Sequence, residues 1–252
     1  MRKIHALPAL LVVAAMAAPS FALVGIGGHW APNFGAKIGG ARQTISTSLG
    51  DATFVRDEAT IEQGFGFKLW LELPFIPINV EATTNFQGGF YDATIETAAK
   101  EIPLAIDMGF PLLGEAEPMF GLMSVDLSVA WRFVDFNPAL LRVQTYVGGG
   151  VTWNYATRPL DKKTAQTAFD AVYGSMDPAI AADEKAQAKA MQNALESAYG
   201  DLDSGFGGHV LLGARVKLLV FSVYVNGKYH FGGLPSGIDN GLTLELGGGL
   251  GL

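Results

Sequence analysis

The sequence predicts an all-β chain that closes into an antiparallel transmembrane β-barrel of about ten strands, with a small helical hairpin as an insert. Three observations favour this class: apolar and polar residues alternate over long segments, the polar faces are rich in Gly, Ser, Thr and Asn, and aromatic residues gather at segment ends. The 252 residues are 49% hydrophobic and 16% charged, which fits one large β domain. Because the chain has no Cys, disulfides and cysteine-type zinc sites are excluded.

The first 22 residues have the features of an export signal. Arg2 and Lys3 supply the positive start, residues 5–18 are mostly apolar, and Ser20 and Ala22 are small residues at the two positions that a signal peptidase reads. A membrane-anchoring helix is the competing interpretation, but it needs a longer apolar run. We therefore predict a signal peptide over 1–22 and an exported barrel over 23–252.

Charge and hydropathy exclude two further classes. The net charge of the chain is −7, and removal of the signal peptide makes it more negative, so the basic surface of a nucleic-acid-binding protein is missing. After the signal peptide, no stretch of 18 uncharged apolar residues follows, and the sequence predicts no transmembrane helix.

Residues 205–231 show the strand pattern most clearly. One face is apolar: Val210, Leu212, Ala214, Val216 and Leu218, then Phe221, Val223, Val225, Tyr229 and Phe231. The other face carries the charges, among them Arg215, Lys217 and Lys228. Side chains alternate across a strand, so the segment predicts a two-strand hairpin that turns at Leu219-Val220. A soluble sandwich also alternates, but the length of the strands and the small residues on the polar faces favour the barrel.

The same pattern gives the remaining elements in order. The predicted strands are 23–31, 36–48, 55–73, 76–87, 90–110, 119–133, 140–156, 205–218, 220–231 and 241–252. Without the second and fifth of these the count is eight, which stays open as the alternative; both counts are even, as in bacterial single-chain barrels.

Connection lengths predict the orientation. Short links near 49–50, 87–89, 135–139 and 219–220 are expected to be periplasmic turns, and both termini should lie on that side. Longer links at 111–118, 158–203 and 232–240 are expected to face outward.

The insert at 158–203 differs from the strands. Ala165, Ala168, Phe169 and Val172 recur at helical spacing, and Asp177-Pro178 is a typical helix start before a second helical segment that ends at Gly200. The sequence therefore predicts a helical hairpin over one mouth of the barrel, which could be a self-packed loop, a gate or a surface that docks a partner.

The chain thus resembles small bacterial outer-membrane β-barrel proteins, over 23–252 apart from the insert. The resemblance is to an architecture and involves no motif of a specific family. It implies export to the bacterial outer membrane, contact with outer-membrane lipid and handling by the outer-membrane assembly machinery. In such proteins the last residue is usually aromatic, and Leu252 departs from that pattern.

Alternation assigns the functional candidates to two faces. Polar residues expected to face the lumen are Lys68, Glu72, Glu81, Asp107, Asp126, Arg132, Arg142, Arg215, Lys217, Lys228 and Glu245. Aromatic residues expected to form the membrane girdles are Trp30, Trp131, Trp153, Tyr155 and Tyr229. Lumen residues of both signs pair into a polar core in a narrow barrel and line a pore in a wider one, and the strand count favours a mostly occluded lumen.

Chemistry is only weakly indicated. A turn at 219–220 places His209 opposite His230, where two imidazoles could share a transition metal, although two lumen histidines bonded to water or carboxylates are the simpler interpretation. Asp126 and Ser128 share the inward face, but the sequence forces no His next to them, so we predict no enzyme, no catalytic residues and no cofactor.

Two functions follow from this architecture. The first is a narrow channel for small solutes, porin-like and acting in transport. The second is a non-conducting structural or surface-interaction barrel of the cell envelope whose helical loop docks a partner. The sequence itself does not choose between them.

Overall fold

The computed structural model describes residues 24–47, 50–73, 75–98, 101–104, 106–107, 115–116, 118–138, 140–170, 172, 189–190, 193 and 202–251. The predicted signal peptide and Leu252 lie outside the described residues. In chain order the strands are β1 (Val24–Trp30), β2 (Asn33–Phe34), β3 (Lys37–Ile38), β4 (Ala41–Thr47), β5 (Gly50–Arg56), β6 (Ala59–Thr60), β7 (Gln63–Glu72), β8 (Ile78–Phe90), β9 (Ala93–Glu96), β10 (Glu101–Pro103), β11 (Ile106–Asp107), β12 (Glu115–Ala116), β13 (Met119–Phe136), β14 (Leu141–Thr157), β15 (Leu202–Leu218), β16 (Phe221–Phe231) and β17 (Gly241–Gly251).

Eight strands form the wall of a closed antiparallel barrel. They pair in the order β1-β7-β8-β13-β14-β15-β16-β17, and β17 pairs back onto β1 from Gly25↔Gly251 to Trp30↔Leu246. The two-residue strand β2 adds a short pairing to β17. Closure gives every wall strand a neighbour on both sides, so the wall has no free edge strand. Buried and exposed residues alternate along the wall strands, as in the eBeBeBe pattern of β1, because one face points into the lumen and the other away from it.

The predicted count of about ten wall strands is corrected to eight, which was the alternative. The predicted segment 36–48 contributes β3 and β4, and the predicted segment 90–110 contributes β9, β10 and β11. All five of these strands lie outside the wall. Both segments do alternate, but their apolar residues, such as Ile45 and Ile95, face an apolar core beyond the barrel mouth. A period of two identifies a strand and does not say which surface its apolar face covers.

The two ends of the barrel differ in their connections. At the end that carries the first residue of β1 and the last of β17, the strands are joined by short links at 73–77, 137–140 and 219–220; we call this the turn end. The opposite end, the loop end, carries the long connections 31–62, 91–118, 158–201 and 232–240. The predicted turns at 49–50 and 87–89 are wrong: the first joins β4 to β5 at the loop end, and the second lies inside β8.

The loop-end connections fold together into a cap. Its framework is a four-stranded sheet in the order β10-β9-β5-β4, and helix α1 (Lys162–Phe169) packs beside β4. A hydrophobic core fills the space beneath, with Ile38, Ile45, Phe54, Ile61, Ile95, Leu104, Phe120, Leu122, Leu160 and Phe169 among its buried members. Because Phe120 and Leu122 belong to β13, this core is continuous with the mouth of the barrel.

Helix α1 is the described part of the predicted helical hairpin. Its N-cap is Asp161, whose carboxylate accepts a hydrogen bond from the backbone N–H of Thr164 at 2.8 Å. Ala165, Ala168 and Phe169 form its buried face, as the helical spacing predicts. The second predicted helix falls almost entirely outside the described residues. Among the described residues, no helix has the length and apolarity needed to cross a membrane.

Leu219, the first residue of the β15–β16 turn, has a left-handed backbone conformation with φ of 57°. Side chains with a Cβ are disfavoured there, whereas glycine is not. We expect Leu219→Gly to raise the free energy of unfolding by about 1 kcal/mol, measured by urea unfolding in lipid vesicles. Val220→Gly is the matched control and should not stabilise the protein, since Val220 has no positive φ. Equal gains from both substitutions would contradict this reading of the turn.

Candidate functional site

The candidate site is the lumen of the barrel, where the wall strands point their polar side chains inward. Nine of the charged residues that alternation assigns to the lumen are at most 8% exposed: Glu72, Glu81, Asp126, Arg132, Arg142, Arg215, Lys217, Lys228 and Glu245. Lys68 also lies there and is fully buried. Asp107 lies in β11, outside the wall, so the lumen position predicted for it is wrong.

Nine buried charges and the partly exposed Asp135 form one row in which acids and bases alternate. We call this row the ionic column. In order from the loop end to the turn end it consists of Asp126, Lys228, Glu245, Lys68, Glu81, Arg215, Glu72, Arg142, Asp135 and Arg132. Buried charges are tolerated when they are paired and hydrogen-bonded, and the alternation pairs each inner member on both sides.

The loop-end half of the ionic column is centred on Lys228. Its Nζ lies 2.9 Å from Asp126 Oδ2 and 2.7 Å from Glu245 Oε1. Glu245 Oε2 also accepts a hydrogen bond from the Asn226 amide at 2.7 Å and lies 4.0 Å from the Nζ of Lys68. The side chains of these charged residues are 0% exposed, so the whole cluster is sealed from solvent.

The turn-end half is centred on Arg215 and Glu72. Arg215 reaches Glu81 at 2.7 Å with one guanidinium nitrogen and Glu72 at 3.1 Å with another. Glu72 also pairs with Arg142. Arg132 closes the column by donating to the backbone carbonyls of Leu73 and Ile76 in the first turn. The column is thereby fixed to the turn end of the barrel.

Aromatic rings fill the space beside these charges. The guanidinium of Arg215 lies 4.5 Å from the centre of the Trp70 ring, and Lys68 Nζ lies 4.8 Å from that of Tyr224. Such contacts are favourable because the ring faces carry negative charge density. Gly25 faces Trp70 across the β1–β7 pair, and any side chain there would collide with the indole. Rings and ion pairs together leave the middle of the lumen packed.

Close packing makes Gly213 sensitive to substitution. The hydroxyl of Tyr146 donates to Asn226 Oδ1 at 2.6 Å, and a Cβ on Gly213 would collide with both partners of this bond. We expect Gly213→Ala to lower the free energy of unfolding by about 1–3 kcal/mol, measured by urea unfolding in lipid vesicles. Gly227→Ala is the control, because the nearest atom to its Cβ would be Leu244 Cδ2 at 3.7 Å. Similar losses at both sites would contradict the packing argument.

Asp135 is a member of the ionic column that alternation does not identify. A strict period of two would place it on the outer face with Trp131 and Phe133. The β13–β14 register shifts between Arg132 and Val134, and this bulge turns Asp135 toward Arg142, with a hydrogen bond of 2.7 Å. The one sequence signal is the charge itself, since an unpaired carboxylate on the outer face would be costly in lipid.

The three described histidines all lie in the lumen. His209 pairs in register with His230, as predicted from the short turn, and their ring centres are 5.6 Å apart. His29 is held separately by Asn85 Oδ1 at 2.6 Å and by the Tyr224 hydroxyl at 3.1 Å. Asp126 joins the His pair from across the lumen, with its Oδ1 3.3 Å from His230 Nε2.

A chain of hydrogen bonds indicates which ring nitrogen of His209 carries the hydrogen. The Thr152 hydroxyl donates to Asp126 Oδ1 at 2.8 Å, so its oxygen accepts from His209 Nδ1 at 2.8 Å. His209 Nε2 then accepts from the Ser128 hydroxyl, also at 2.8 Å. A hydroxyl bonded to an imidazole is the geometry of an activated nucleophile, and the sequence did not predict this contact. Ser128 is buried in the lumen and 0% exposed.

The outer face of the wall is apolar from one end to the other. Large exposed residues on it include Val24, Ile26, Phe65, Phe67, Leu69, Leu127, Val129, Val147, Val210, Leu212, Val223, Val225, Leu242 and Leu250. The predicted girdle residues are 37–55% exposed on this face: Trp30, Trp131, Trp153, Tyr155 and Tyr229. Trp131 lies near the turn end, opposite Ile78, and the other four lie near the loop end.

Comparison with known proteins identifies the fold and no family. No known family and no curated protein matches the sequence. Three solved outer-membrane barrel structures are similar. OprG from Pseudomonas aeruginosa is 12% identical with a TM-score of 0.50, covering 92% of this chain and 96% of OprG. Neisserial surface protein A is 14% identical with a TM-score of 0.43, covering 90% and 94%. Ail, the attachment invasion locus protein of Yersinia pestis, is 11% identical with a TM-score of 0.34, covering 91% and 97%.

Proposed function

We propose that the chain is an integral outer-membrane barrel that does not conduct and that presents a folded cap at the membrane surface. Of the two functions that the sequence leaves open, the filled lumen favours the non-conducting barrel. The single observation that carries this choice is the ionic column. Its five side chains from Asp126 to Glu81 are 0% exposed.

The outer surface supports the membrane location. A soluble protein rarely exposes a large continuous apolar patch, whereas here the apolar face encircles the barrel. Trp131 near the turn end and the Trp and Tyr residues near the loop end suit the interfaces between lipid and water. The fold that the chain shares with OprG, an outer-membrane protein, is consistent with the same location. Export by the predicted signal peptide and insertion by the outer-membrane assembly machinery belong to this proposal.

The difference between the two ends supports the orientation. Outer-membrane barrels have short periplasmic turns and longer extracellular loops. The turn end, with both ends of the wall, would therefore lie in the periplasm, and the cap would lie outside the cell. One face of helix α1 packs on the cap core. The residues available to a partner are those on its exposed face, Lys162, Lys163 and Thr167.

Two barriers in series support a closed lumen. The ionic column fills the middle and the turn end, and the hydrophobic cap core covers the loop end. A hydrated ion would have to displace buried ion pairs and then cross an apolar core. We also propose that the protein is not an enzyme and binds no organic cofactor, since the Ser128–His209 pair lies sealed within this packing.

Planar-bilayer recording tests the proposal. Purified protein should give no conductance above the lipid background, while an established porin in the same membranes gives discrete steps. Replacing 162–199 by a short Gly-Ser linker is the matched control and should also stay silent, because the ionic column remains. Discrete steps from the intact protein would overturn the closed lumen and favour the narrow channel; steps from the linker variant alone would assign the closure to the cap.

A further inference from the structure

We propose that Asp126, His209 and His230 form a binding site for a divalent first-row transition-metal ion of the Zn²⁺ or Ni²⁺ type. We call these three residues the lumen triad. His209 and His230 come from the paired strands β15 and β16 and Asp126 from β13, and all three are buried. The inference concerns ligand binding and does not depend on whether the barrel conducts.

The positions of the donor atoms carry the proposal. One donor atom from each member of the lumen triad lies within 4.8 Å of the other two. Asp126 Oδ1 is 3.3 Å from His230 Nε2 and 3.9 Å from His209 Nδ1. A tetrahedral ion with bonds of about 2 Å holds its ligands about 3.3 Å apart. The triad therefore reaches the spacing of a metal site with small side-chain movements.

Charge distribution within the ionic column singles out Asp126 as the cation-binding end. Glu245, Glu81, Glu72 and Asp135 each lie within 4.0 Å of two or more Lys or Arg side chains. Asp126, the last acid, is paired with Lys228 alone, and through Oδ2 only. Its Oδ1 contacts the Thr152 hydroxyl and the histidines. Lys228 is moreover shared with Glu245, so negative charge at Oδ1 is incompletely balanced.

The outer shell that a metal site needs is already present. Metal-binding histidines usually donate their second ring nitrogen to an oxygen, and metal-binding carboxylates are themselves hydrogen-bonded. Ser128 Oγ lies 2.8 Å from His209 Nε2, and Lys228 holds Asp126 Oδ2 at 2.9 Å. Both partners would support the ligands without occupying the donor atoms of the triad.

Metal binding requires the ring proton of each histidine to leave the donor nitrogen. His230 Nε2 lies 3.3 Å from Asp126 Oδ1 and donates to it, and this proton passes to His230 Nδ1 when Nε2 binds the ion. On His209 the hydrogen-bond chain assigns the proton to Nδ1, which donates to the Thr152 hydroxyl. When Nδ1 binds the ion, the proton transfers to Nε2, and the Ser128 hydroxyl changes from donor to acceptor. The histidine stays neutral throughout and no proton is released from it. A hydroxyl at this position permits the exchange because it can play either role.

A small cavity adjoins the lumen triad on the loop-end side. Its lining combines polar and apolar residues: Asn33, Ala36, Gln87, Leu122, Ser124, Asn154, His230, Leu234 and Gly241. Because His230 belongs to both the cavity and the triad, an ion or its remaining water ligand can lie on this side. Two imidazoles and one carboxylate suit Zn²⁺, Ni²⁺ and related ions, whereas Ca²⁺ and Mg²⁺ prefer sites made of oxygen alone.

Isothermal titration of Zn²⁺ and Ni²⁺ into the metal-free, tag-free protein in detergent tests the proposal. We expect saturable binding of one ion per chain, and His230→Gln should weaken it at least about tenfold. His29→Gln is the matched control: it is also a lumen histidine with two hydrogen bonds, but it lies outside the triad and should leave the affinity unchanged. Mg²⁺ should give no comparable binding.

A second measurement uses the unaltered protein, so that a misfolded variant cannot decide the outcome. The chain has four His, of which His5 falls in the predicted signal peptide, so three imidazoles should appear in ¹⁵N spectra of the exported chain. On addition of Zn²⁺, the signals of His209 and His230 should shift and that of His29 should stay. No saturable binding, or equal shifts of all three signals, would overturn the proposal.

Discussion

Lys228→Met is expected to cost about 3–5 kcal/mol of the free energy of unfolding, the range for breaking a fully buried ion pair. Lys228 is 0% exposed and bridges Asp126 and Glu245 at 2.9 and 2.7 Å. Methionine has a similar length and no charge, so it fills the space and leaves two buried carboxylates facing each other. Urea unfolding in lipid vesicles, followed by tryptophan fluorescence, measures the loss.

Lys217→Met is the matched control for this experiment. Lys217 lies on the same lumen face and is 3% exposed, but no carboxylate lies within ion-pair distance of it among the described residues. Its replacement should change the stability by less than about 1 kcal/mol. If both substitutions cost the same, the loss would reflect the altered packing of a lumen lysine, and the ionic column would have no special role.

A double variant tests the assignment of the charge. Asp126 has Lys228 as its Lys or Arg partner, whereas Glu245 keeps Lys68 at 4.0 Å when Lys228 is replaced. Asp126→Asn in the Lys228→Met background removes the carboxylate left without compensation and should recover a large part of the lost stability. A double variant as unstable as the sum of the two single variants would contradict coupling between these residues.

The wall of the barrel could be predicted from sequence because its two faces meet different surroundings. Along β15 and β16 most apolar residues face outward and most polar residues face the lumen, with Leu211 and Ser204 as exceptions, so one reading frame assigns most side chains. The cap strands follow the same period for another reason, since Ile45 and Ile95 cover an apolar core. Period alone cannot separate these two cases, and this is why the predicted strand count exceeded eight.

The lumen residues could be predicted, but their partners mostly could not. Arg215 and Glu81 are 134 positions apart, and their contact depends on how far the strands are staggered around the closed barrel. The pairing of His209 with His230 was accessible because a two-residue turn fixes the register of adjacent strands. The approach of Asp126 to this pair crosses the lumen and therefore required the structure.

Phe54→Ala is expected to open the cap while the barrel stays closed. Phe54 is 0% exposed on β5, between β4 and β9, and lies opposite Ile95 in the cap sheet. Truncating a buried phenylalanine costs about 3–5 kcal/mol, and both strands that pair with β5 belong to the cap. Amide hydrogen exchange in β4, β5 and β9 should therefore speed up by about 100-fold or more, while exchange in β14 and β15 stays slow.

Phe34→Ala provides the comparison for this result, because Phe34 is 54% exposed at the same end of the barrel and should leave cap exchange almost unchanged. Heat-modifiable gel migration, which reports the intact wall, should be normal in both variants. If Phe54→Ala also destroyed the heat-modifiable form, cap and wall would unfold as one unit. The cap would then be a necessary part of the barrel, and a role as a separately folded surface for partners would have to be abandoned.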